Sequence, residues 1–266
     1  MTGALERAAF TEPLSPARAG VPGRRRPHAL VHPVDGQVHW YGPLAWALGP
    51  GWSCYGLRTD TGPALDAGIG AMAARYTERL RHAEPRGPYT VTGWSFGAVV
   101  AFAMARLLED AGQDVEQLVL IDPPPLPARP GSGALGVHLS RLLPGRDEEE
   151  IGAALAAVTA RPAGDRADAL AHVLGLTDGF TLRRLAVLVG HHHALDGWMP
   201  AGTVERLLLV QPSATAAQGP GGWLAHGRTA RHAVVPGDHH TLLDGPALPV
   251  LADLYTPGAE RAGDMR

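Results

Sequence analysis

Apolar residues along this chain form short runs that alternate with longer segments of helical spacing. The runs predict six strands, at about 29–33, 53–57, 89–92, 117–121, 206–210 and 231–235. The other segments predict helices from about 38, near 66–82, near 97–111 and near 246–255. Because strands that alternate with helices form a parallel sheet covered on both faces, the predicted fold class is α/β.

The alternation stops between about 126 and 204. Three helical segments follow one another there, near 147–160, 166–174 and 179–196, with no strand predicted among them. We expect this part to form a helical lid inserted above the sheet. The main domain is predicted over 28–258, after a flexible leader at 1–27 and before a tail at 259–266.

Composition narrows the class of protein. The 266 residues, 45% of them hydrophobic, suit one domain with a sizeable core. The net charge of −3 gives no general attraction to nucleic acid or to an anionic membrane. Cys54 has no cysteine partner, and no apolar stretch approaches the length of a membrane span. With no signal-peptide pattern either, we expect a cytoplasmic protein that binds neither nucleic acid nor membrane.

Ser95 is the candidate nucleophile. It lies at the centre of Gly93-Trp94-Ser95-Phe96-Gly97, directly after a predicted strand and before a predicted helix. A serine on such a tight turn has a strained backbone and projects its hydroxyl from the carboxyl edge of the sheet. A Gly-x-Ser-x-Gly match also occurs in turns without catalytic function. The strand-turn-helix setting favours catalysis, and the absence of lysine excludes Schiff-base and Ser-Lys chemistry.

An acid and a histidine follow in the chain order of this architecture. Asp122 comes directly after the apolar run 117–121 and is followed by three prolines, which stop the strand. His239 and His240 follow the last predicted strand through a loop opened by Pro236. Either imidazole could take the serine proton while Asp122 fixes its tautomer. These features alone leave the choice between the two histidines open.

Three consecutive histidines, His191, His192 and His193, raise the question of a metal site. Successive residues on a helix point in directions about 100° apart, so three in a row do not converge on one ion. We therefore expect solvated or lid-facing histidines at these positions. The sequence predicts no metal and no cofactor.

The sequence around these residues resembles the thioesterase domains that end nonribosomal peptide and polyketide assembly lines, which have the α/β-hydrolase fold. The likeness runs from about Leu30 to Leu126 and resumes from about Leu207 to Leu243. Its most specific stretch contains Ala73-Ala74-Arg75-Tyr76 and Pro85-Arg86-Gly87-Pro88-Tyr89, and leads into the Ser95 turn. Asp122 follows Ser95 by 27 residues, the interval usual in that family.

The resemblance implies further site residues. In the family the catalytic histidine directly follows Gly-Asp, which here selects His239 over His240. The two amides of the family's oxyanion hole correspond to Phe96 and Val34. Two positions depart from the family pattern, since Asp35 replaces a small residue of the oxyanion loop and His240 stands where Phe is frequent. The Asp35 carboxylate either turns outward or disfavours the oxyanion.

The function implied is that of a thioesterase, working on a partner acyl or peptidyl carrier protein. It would move an acyl, peptidyl or polyketide chain from the carrier's phosphopantetheine thioester onto Ser95, and release it by hydrolysis or macrocyclisation in natural-product biosynthesis. Three alternatives remain: an editing thioesterase that clears misprimed carriers, a carboxylesterase on free oxygen esters, and a non-catalytic module that binds acylated carriers. Trp94 and Phe96 favour product release over editing, and the loop His32-Pro33-Val34-Asp35-Gly36 lacks the glycine run typical of many esterases.

Overall fold

A seven-stranded sheet forms the centre of the computed structural model, which describes residues 11–14, 25–59, 68–128 and 134–255. The strands are β1 (Thr11–Pro13), β2 (Arg26–Val31), β3 (Trp52–Leu57), β4 (Tyr89–Trp94), β5 (Val115–Ile121), β6 (Val204–Pro212) and β7 (Gly227–Val235). They lie in the order β1-β3-β2-β4-β5-β6-β7. Strands β2 to β7 are mutually parallel, and β1 is antiparallel to β3 at one edge. The six strands predicted from the apolar runs and the α/β fold class are therefore confirmed.

Helices flank the sheet and also form the insertion. They are α1 (Gly42–Leu48), α2 (Gly68–Ala83), α3 (Phe96–Asp110), α4 (Ala134–Leu142), α5 (Glu148–Val158), α6 (Arg166–Val173), α7 (Gly179–Leu195) and α8 (Ala247–Asp253). Helices α4 to α7 follow one another between β5 and β6, so the predicted helical insertion is confirmed. The sequence pattern does not predict α4, because a helix of two and a half turns with Gly136 near its start has a weak signal. No helix in the described ranges is long and apolar enough to cross a membrane.

The core lies on both faces of the sheet. Alternate residues of β5 point to opposite faces: Leu118 and Leu120 pack in the layer that holds α2 and α3, whereas Val119 and Ile121 pack in the layer that holds α1 and α8. Helix α3 is buried along most of its length, and its first residue directly follows Ser95. The turn that carries Ser95 is therefore held between a central strand and a central helix.

The edge strand β1 corrects part of the prediction of a flexible leader at 1–27. Thr11 pairs with Leu57 and Pro13 pairs with Tyr55, so this short piece of the leader is ordered against β3. Three extended residues have no periodicity that could reveal them, whereas an open sheet edge readily binds them. Residues 1–10 and 15–24 of the leader and the tail at 259–266 lie outside the described residues.

Candidate active site

Ser95 lies in the sharp turn between β4 and α3. Its backbone has φ 56° and ψ −121°, a conformation that non-glycine residues rarely adopt. The surrounding structure maintains this strain: the Ser95 N–H donates to the Ile121 carbonyl at 2.9 Å, and the Ser95 carbonyl accepts from the Ala98 N–H at 3.0 Å. The positive φ is the feature expected of a nucleophile on a strand-to-helix turn.

The two glycines of the turn are required by close backbone contacts. A Cβ atom at Gly93 would collide with the backbone of Gly97. A Cβ atom at Gly97 would collide with the carbonyl groups of Val31 and His32 at the end of β2. Because these neighbours are backbone atoms of the sheet and helix, they cannot move aside as a side chain would. Glycine is therefore required at both positions because α3 packs closely against β2 and β4.

Tyr41 fixes the strand end just before Ser95. Its hydroxyl donates to the Val31 carbonyl at 2.7 Å and accepts from the Trp94 N–H at 2.9 Å. The side chain is fully buried, and this burial raises the pKa of the Tyr41 hydroxyl well above its usual range. One buried hydroxyl thus joins the ends of two neighbouring strands at the edge that carries the site.

Asp122 and His239 are in direct contact. Asp122 follows β5 with φ 42°, and its N–H donates to the Val210 carbonyl at 2.7 Å, which holds it at the carboxyl edge of the sheet. The His239 Nδ1 lies 2.6 Å from an Asp122 carboxylate oxygen. Because that carboxylate is an acceptor, the Nδ1 carries the proton and the Nε2 remains available as a base.

The loop after β7 directs His239 toward Asp122. Gly237 has φ 109°, and a Cβ atom there would crowd the hydroxyl of Thr241. The Asp238 carboxylate accepts from the backbone N–H groups of His240 and Thr241, at 2.8 and 3.1 Å. These hydrogen bonds, the one from His240 first, lower the pKa of the Asp238 carboxyl. The neighbouring His240 has a different partner, since its Nε2 accepts from Arg141 Nη2 at 3.1 Å.

Hydrogen bonds to the Pro33 carbonyl hold the loop at residues 32–36, the candidate oxyanion loop. The Pro33 carbonyl accepts from the Gly36 N–H at 3.0 Å and from His32 Nδ1 at 2.7 Å. In a trans peptide the N–H points opposite to the carbonyl, so the Val34 N–H points the other way. Burial lowers the pKa of His32 to about 4, which keeps this imidazole neutral at pH 7. Within the described residues, neither the Val34 N–H nor the Phe96 N–H donates to a protein acceptor.

His191 of the insertion supports this loop, a role that the sequence does not predict. Its Nδ1–H donates to the Val34 carbonyl at 2.7 Å, and its Nε2 lies 3.0 Å from the Thr59 hydroxyl. Its ring stacks on Phe96 at 4.5 Å and on His32 at 4.9 Å between centroids. One buried imidazole therefore contacts both residues whose amides the resemblance assigns to the oxyanion hole.

The three consecutive histidines have separate environments. His191 and His192 are buried and His193 is exposed, so the expectation of a solvated side chain is wrong for the first two, whereas His192 does face another helix of the insertion. The His192 Nε2 lies 3.0 Å from Nδ1 of His138 on α4, and burial lowers the pKa of His192 to about 3. A sequence signal existed: His191 and His192 lie three and four residues after Leu188 and precede Leu195, which is the spacing of a buried helix face.

Asp35 has partners that keep its carboxylate occupied. One oxygen accepts from the Gln37 N–H at 3.0 Å and the other accepts from Trp40 Nε1 at 2.9 Å. Trp40 in turn meets the edge of Trp94, with 6.2 Å between ring centroids. The departure from the family pattern at Asp35 thus fixes an aromatic wall beside Ser95.

Two cavities share Ser95 and His239. The larger, of about 430 Å³, lies between residues of the insertion, among them Arg141 and Arg184, and the two tryptophans Trp40 and Trp94. The smaller, of about 250 Å³, lies on the side of Asp122 and the prolines that follow it. The serine and the histidine are therefore accessible from two directions.

Comparison with known proteins finds a family match in the first half of the chain. Residues 27–136 match the Thioesterase domain family. The dimodular nonribosomal peptide synthase of Bacillus subtilis is 35% identical over 103 residues, which are 38% of this chain and 4% of that protein. The microperfuranone synthase of Emericella nidulans is 31% identical over 175 residues, 62% of this chain and 18% of that protein. The chain thus spans less than a fifth of either relative.

Solved structures of thioesterase domains have the same fold over nearly the whole chain. The NocB thioesterase domain from the nocardicin cluster is 25% identical with a TM-score of 0.63, covering 92% of this chain and 96% of that one. The Vlm2 thioesterase domain, solved with a bound dodecadepsipeptide, is 19% identical with a TM-score of 0.64, covering 93% and 96%, a likeness of fold. Residues 27–136 therefore match the Thioesterase domain family, and the chain is similar over nearly its whole length to the thioesterase domains of nonribosomal peptide synthetases.

Proposed function

We propose that this domain moves an acyl or peptidyl chain from the phosphopantetheine thioester of a carrier protein onto Ser95 and then releases it. One observation carries the proposal: His239 Nδ1 lies 2.6 Å from Asp122, and both side chains line the same cavity as Ser95. A base that is oriented by a carboxylate and adjoins a serine is the arrangement that activates a hydroxyl for acyl transfer.

The first half of the reaction forms an acyl-enzyme. The His239 Nε2 takes the Ser95 proton while the Ser95 oxygen attacks the thioester carbonyl. The tetrahedral oxygen is held by the N–H groups of Val34 and Phe96, each worth about 3 kcal/mol in a site without water. When the C–S bond breaks, the imidazolium returns its proton to the leaving thiol. The carrier's phosphopantetheine thiol departs and the chain remains on Ser95 as an oxygen ester.

The second half of the reaction consumes this ester. His239 takes a proton from water, or from an amine or hydroxyl group of the bound chain, and that atom attacks the ester carbonyl. Collapse of the tetrahedral intermediate returns the proton to Ser95 and releases an acid or a ring. The two cavities that meet at Ser95 support this scheme, because the larger could hold the acyl chain while the smaller admits the phosphopantetheine arm.

The test is intact-protein mass spectrometry after brief exposure to acyl-loaded carrier protein. We expect a mass increase equal to the acyl group on the native chain and none on Ser95→Ala. Ser140→Ala is the matched control, because that hydroxyl donates to the Gly136 carbonyl within α4 and does not line either cavity. Thioester turnover by Ser95→Ala at the native rate would refute the mechanism.

The same samples separate the release modes. Chromatography of what leaves the enzyme distinguishes a linear acid from a ring, and substrates with and without an internal nucleophile supply the comparison. Rapid cleavage of simple oxygen esters with slow cleavage of carrier thioesters would instead favour an esterase. Preference for short acyl carriers over long peptidyl carriers would favour editing.

A further inference from the structure

The larger cavity beside Ser95 has a charged region on the side of the insertion. The wall opposite the insertion is aromatic, since Trp40 and Trp94 line the cavity together with Ser95. The insertion contributes Arg141 at the end of α4 and Arg184 on α7. A cavity that combines an apolar wall with a few charged groups is typical of a site that orients one polar group of a ligand.

The two arginines have no carboxylate partner among the residues that the structure describes. Arg141 donates to the His240 imidazole at 3.1 Å, and the Arg184 guanidinium lies 5.6 Å from the Phe180 ring centroid. Several arginines elsewhere do form ion pairs, at 2.6 to 3.1 Å: Arg26 with Glu116, Arg106 with Asp110, Arg206 with Asp114 and Arg228 with Glu205. In the described part of the chain, the two guanidinium groups at the cavity therefore form no ion pair with a carboxylate.

The cavity's own carboxylate has other partners. Asp35 accepts from the Gln37 N–H with one oxygen and from Trp40 Nε1 with the other, and it forms no ion pair with either arginine. The nearby histidines add no further positive charge, because burial and then the charge of Arg141 lower the pKa values of His138 and His240. These two imidazoles are therefore neutral at pH 7. The His240 Nε2 also holds the Arg141 head group in place, which reduces the entropy lost when Arg141 binds a ligand.

We propose that Arg141 and Arg184 form a binding site for an anionic group, a carboxylate carried by the acyl chain distal to its thioester carbonyl. This inference rests on the proposed function, since the cavity is taken to hold the acyl chain. Guanidinium groups bind carboxylates and phosphates through paired N–H donors, so the phosphate of the phosphopantetheine arm shares the required chemistry. We assign the acyl carboxylate because these arginines line the larger cavity and not the one beside the prolines.

The test compares four thioester substrates. Two acyl groups of equal length, one ending in a carboxylate and one in the matching primary amide, are each linked to N-acetylcysteamine and to phosphopantetheine. For the native chain we expect a kcat/KM for the carboxylate at least about tenfold above that for the amide, whichever thiol is used. The double variant Arg141→Gln/Arg184→Gln should lose this preference and leave turnover of the amide within about twofold.

Arg183→Gln is the matched control. Arg183 is exposed on the same helix and is not among the residues that line the cavity. It should keep the preference, and thermal melts should confirm that all variants are folded. A loss that follows the phosphopantetheine substrates, regardless of acyl group, would place the phosphate at the arginines and overturn the acyl assignment. Equal losses on all four substrates, or none, would overturn the anion site itself.

Failure of the proposed function would be recognised separately. If the native chain cleaves none of the four substrates and Ser95 does not react with a neutral fluorophosphonate, the acyl-enzyme mechanism is at fault. The anion site is then measured without catalysis, by calorimetric titration of Ser95→Ala with the carboxylate and amide forms of the acyl group. Tighter binding of the carboxylate that disappears in the double arginine variant supports the site, and equal binding contradicts it.

Discussion

The imidazole of His191, on the insertion, donates its Nδ1–H to the Val34 carbonyl at 2.7 Å. The Val34 carbonyl belongs to the peptide directly after the one whose N–H is proposed to stabilise the oxyanion. A hydrogen bond at that carbonyl restricts rotation of the loop, so the geometry of the proposed hole depends on a residue from outside the sheet domain. Orientation of oxyanion donors matters because displacements of about 1 Å can cost two orders of magnitude in rate.

Replacing His191 by Leu should therefore lower kcat about 10- to 100-fold and change KM little. Steady-state kinetics with a carrier thioester measure both parameters. His191→Asn keeps a side-chain N–H donor and should recover part of the lost kcat. His193→Leu is the control, since His193 is exposed on the same helix, and it should match the native chain. Equal kcat in His191→Leu and His193→Leu would remove His191 from the mechanism.

Asp122→Asn should lower kcat about 10³- to 10⁴-fold, because an amide at this position no longer fixes the His239 tautomer or stabilises the imidazolium. Single-turnover acylation of Ser95 measures the affected step. Asp114→Asn is the control. Asp114 is an exposed residue directly before the start of β5, away from the site, where it pairs with Arg206, and its replacement should leave kcat unchanged. An Asp122→Asn variant that acylates at the native rate would show that His239 is oriented in another way.

Gly97→Ala should destabilise the fold by about 2–4 kcal/mol, because the new methyl group meets the backbone carbonyls of Val31 and His32. Urea denaturation measures the change in the free energy of unfolding. Gly70→Ala, at an exposed position of α2 with open space around it, should instead stabilise by about 0.5–1 kcal/mol. Similar effects at the two positions would mean that the turn can relax.

Acid should destabilise the folded domain through three buried histidines. Burial lowers the pKa of His28 to about 3, of His32 to about 4 and of His192 to about 3. The unfolded chain binds protons at these sites below about pH 6.5, whereas the folded chain binds them only near pH 3 to 4. Stability is therefore present above pH 6.5 and is lost as the pH falls.

Urea denaturation at a series of pH values tests this. The free energy of unfolding should fall by about 1 kcal/mol per histidine between pH 7 and 5.5. His28→Gln should reduce the pH slope by about one proton, although it also lowers stability at neutral pH. The exposed His193 provides the control, since His193→Gln should leave the slope unchanged. A stability independent of pH over this range would contradict the neutral, buried state of these side chains.

The six parallel strands and the chain order of the candidate site residues could be predicted because each of these strands contains a short apolar run. Ser95, Asp122 and the His239 loop follow such runs directly, and strand ends converge at one edge of a parallel sheet. The contact of His239 with Asp122 agrees with the Gly-Asp-His pattern that selected it. The catalytic roles of these residues, and of the Val34 and Phe96 amides, remain predictions for the experiments above.

The support of the site could not be predicted in the same way. His191 contacts Val34 and Thr59 across more than 130 residues of sequence, and such pairings depend on how the insertion packs on the sheet. The contacts of Tyr41 and Trp40 could not be predicted either, because a single 3-10 turn, His39–Tyr41, gives no periodic signal. For Asp35 the sequence allows two outcomes, and only its partners Gln37 and Trp40 decide between them.

Helix α7 supplies both Arg184 at the larger cavity and His191 at the oxyanion loop, about two turns apart. A substitution that shifts or rotates this helix to accept a different chain would also move the support under Val34. Substitutions in the insertion that change the preference for an acyl chain are therefore expected to change kcat as well. An exchange of this segment between related domains would need to carry the His191 contacts with Val34 and Thr59, or it would bring a new preference at a reduced rate.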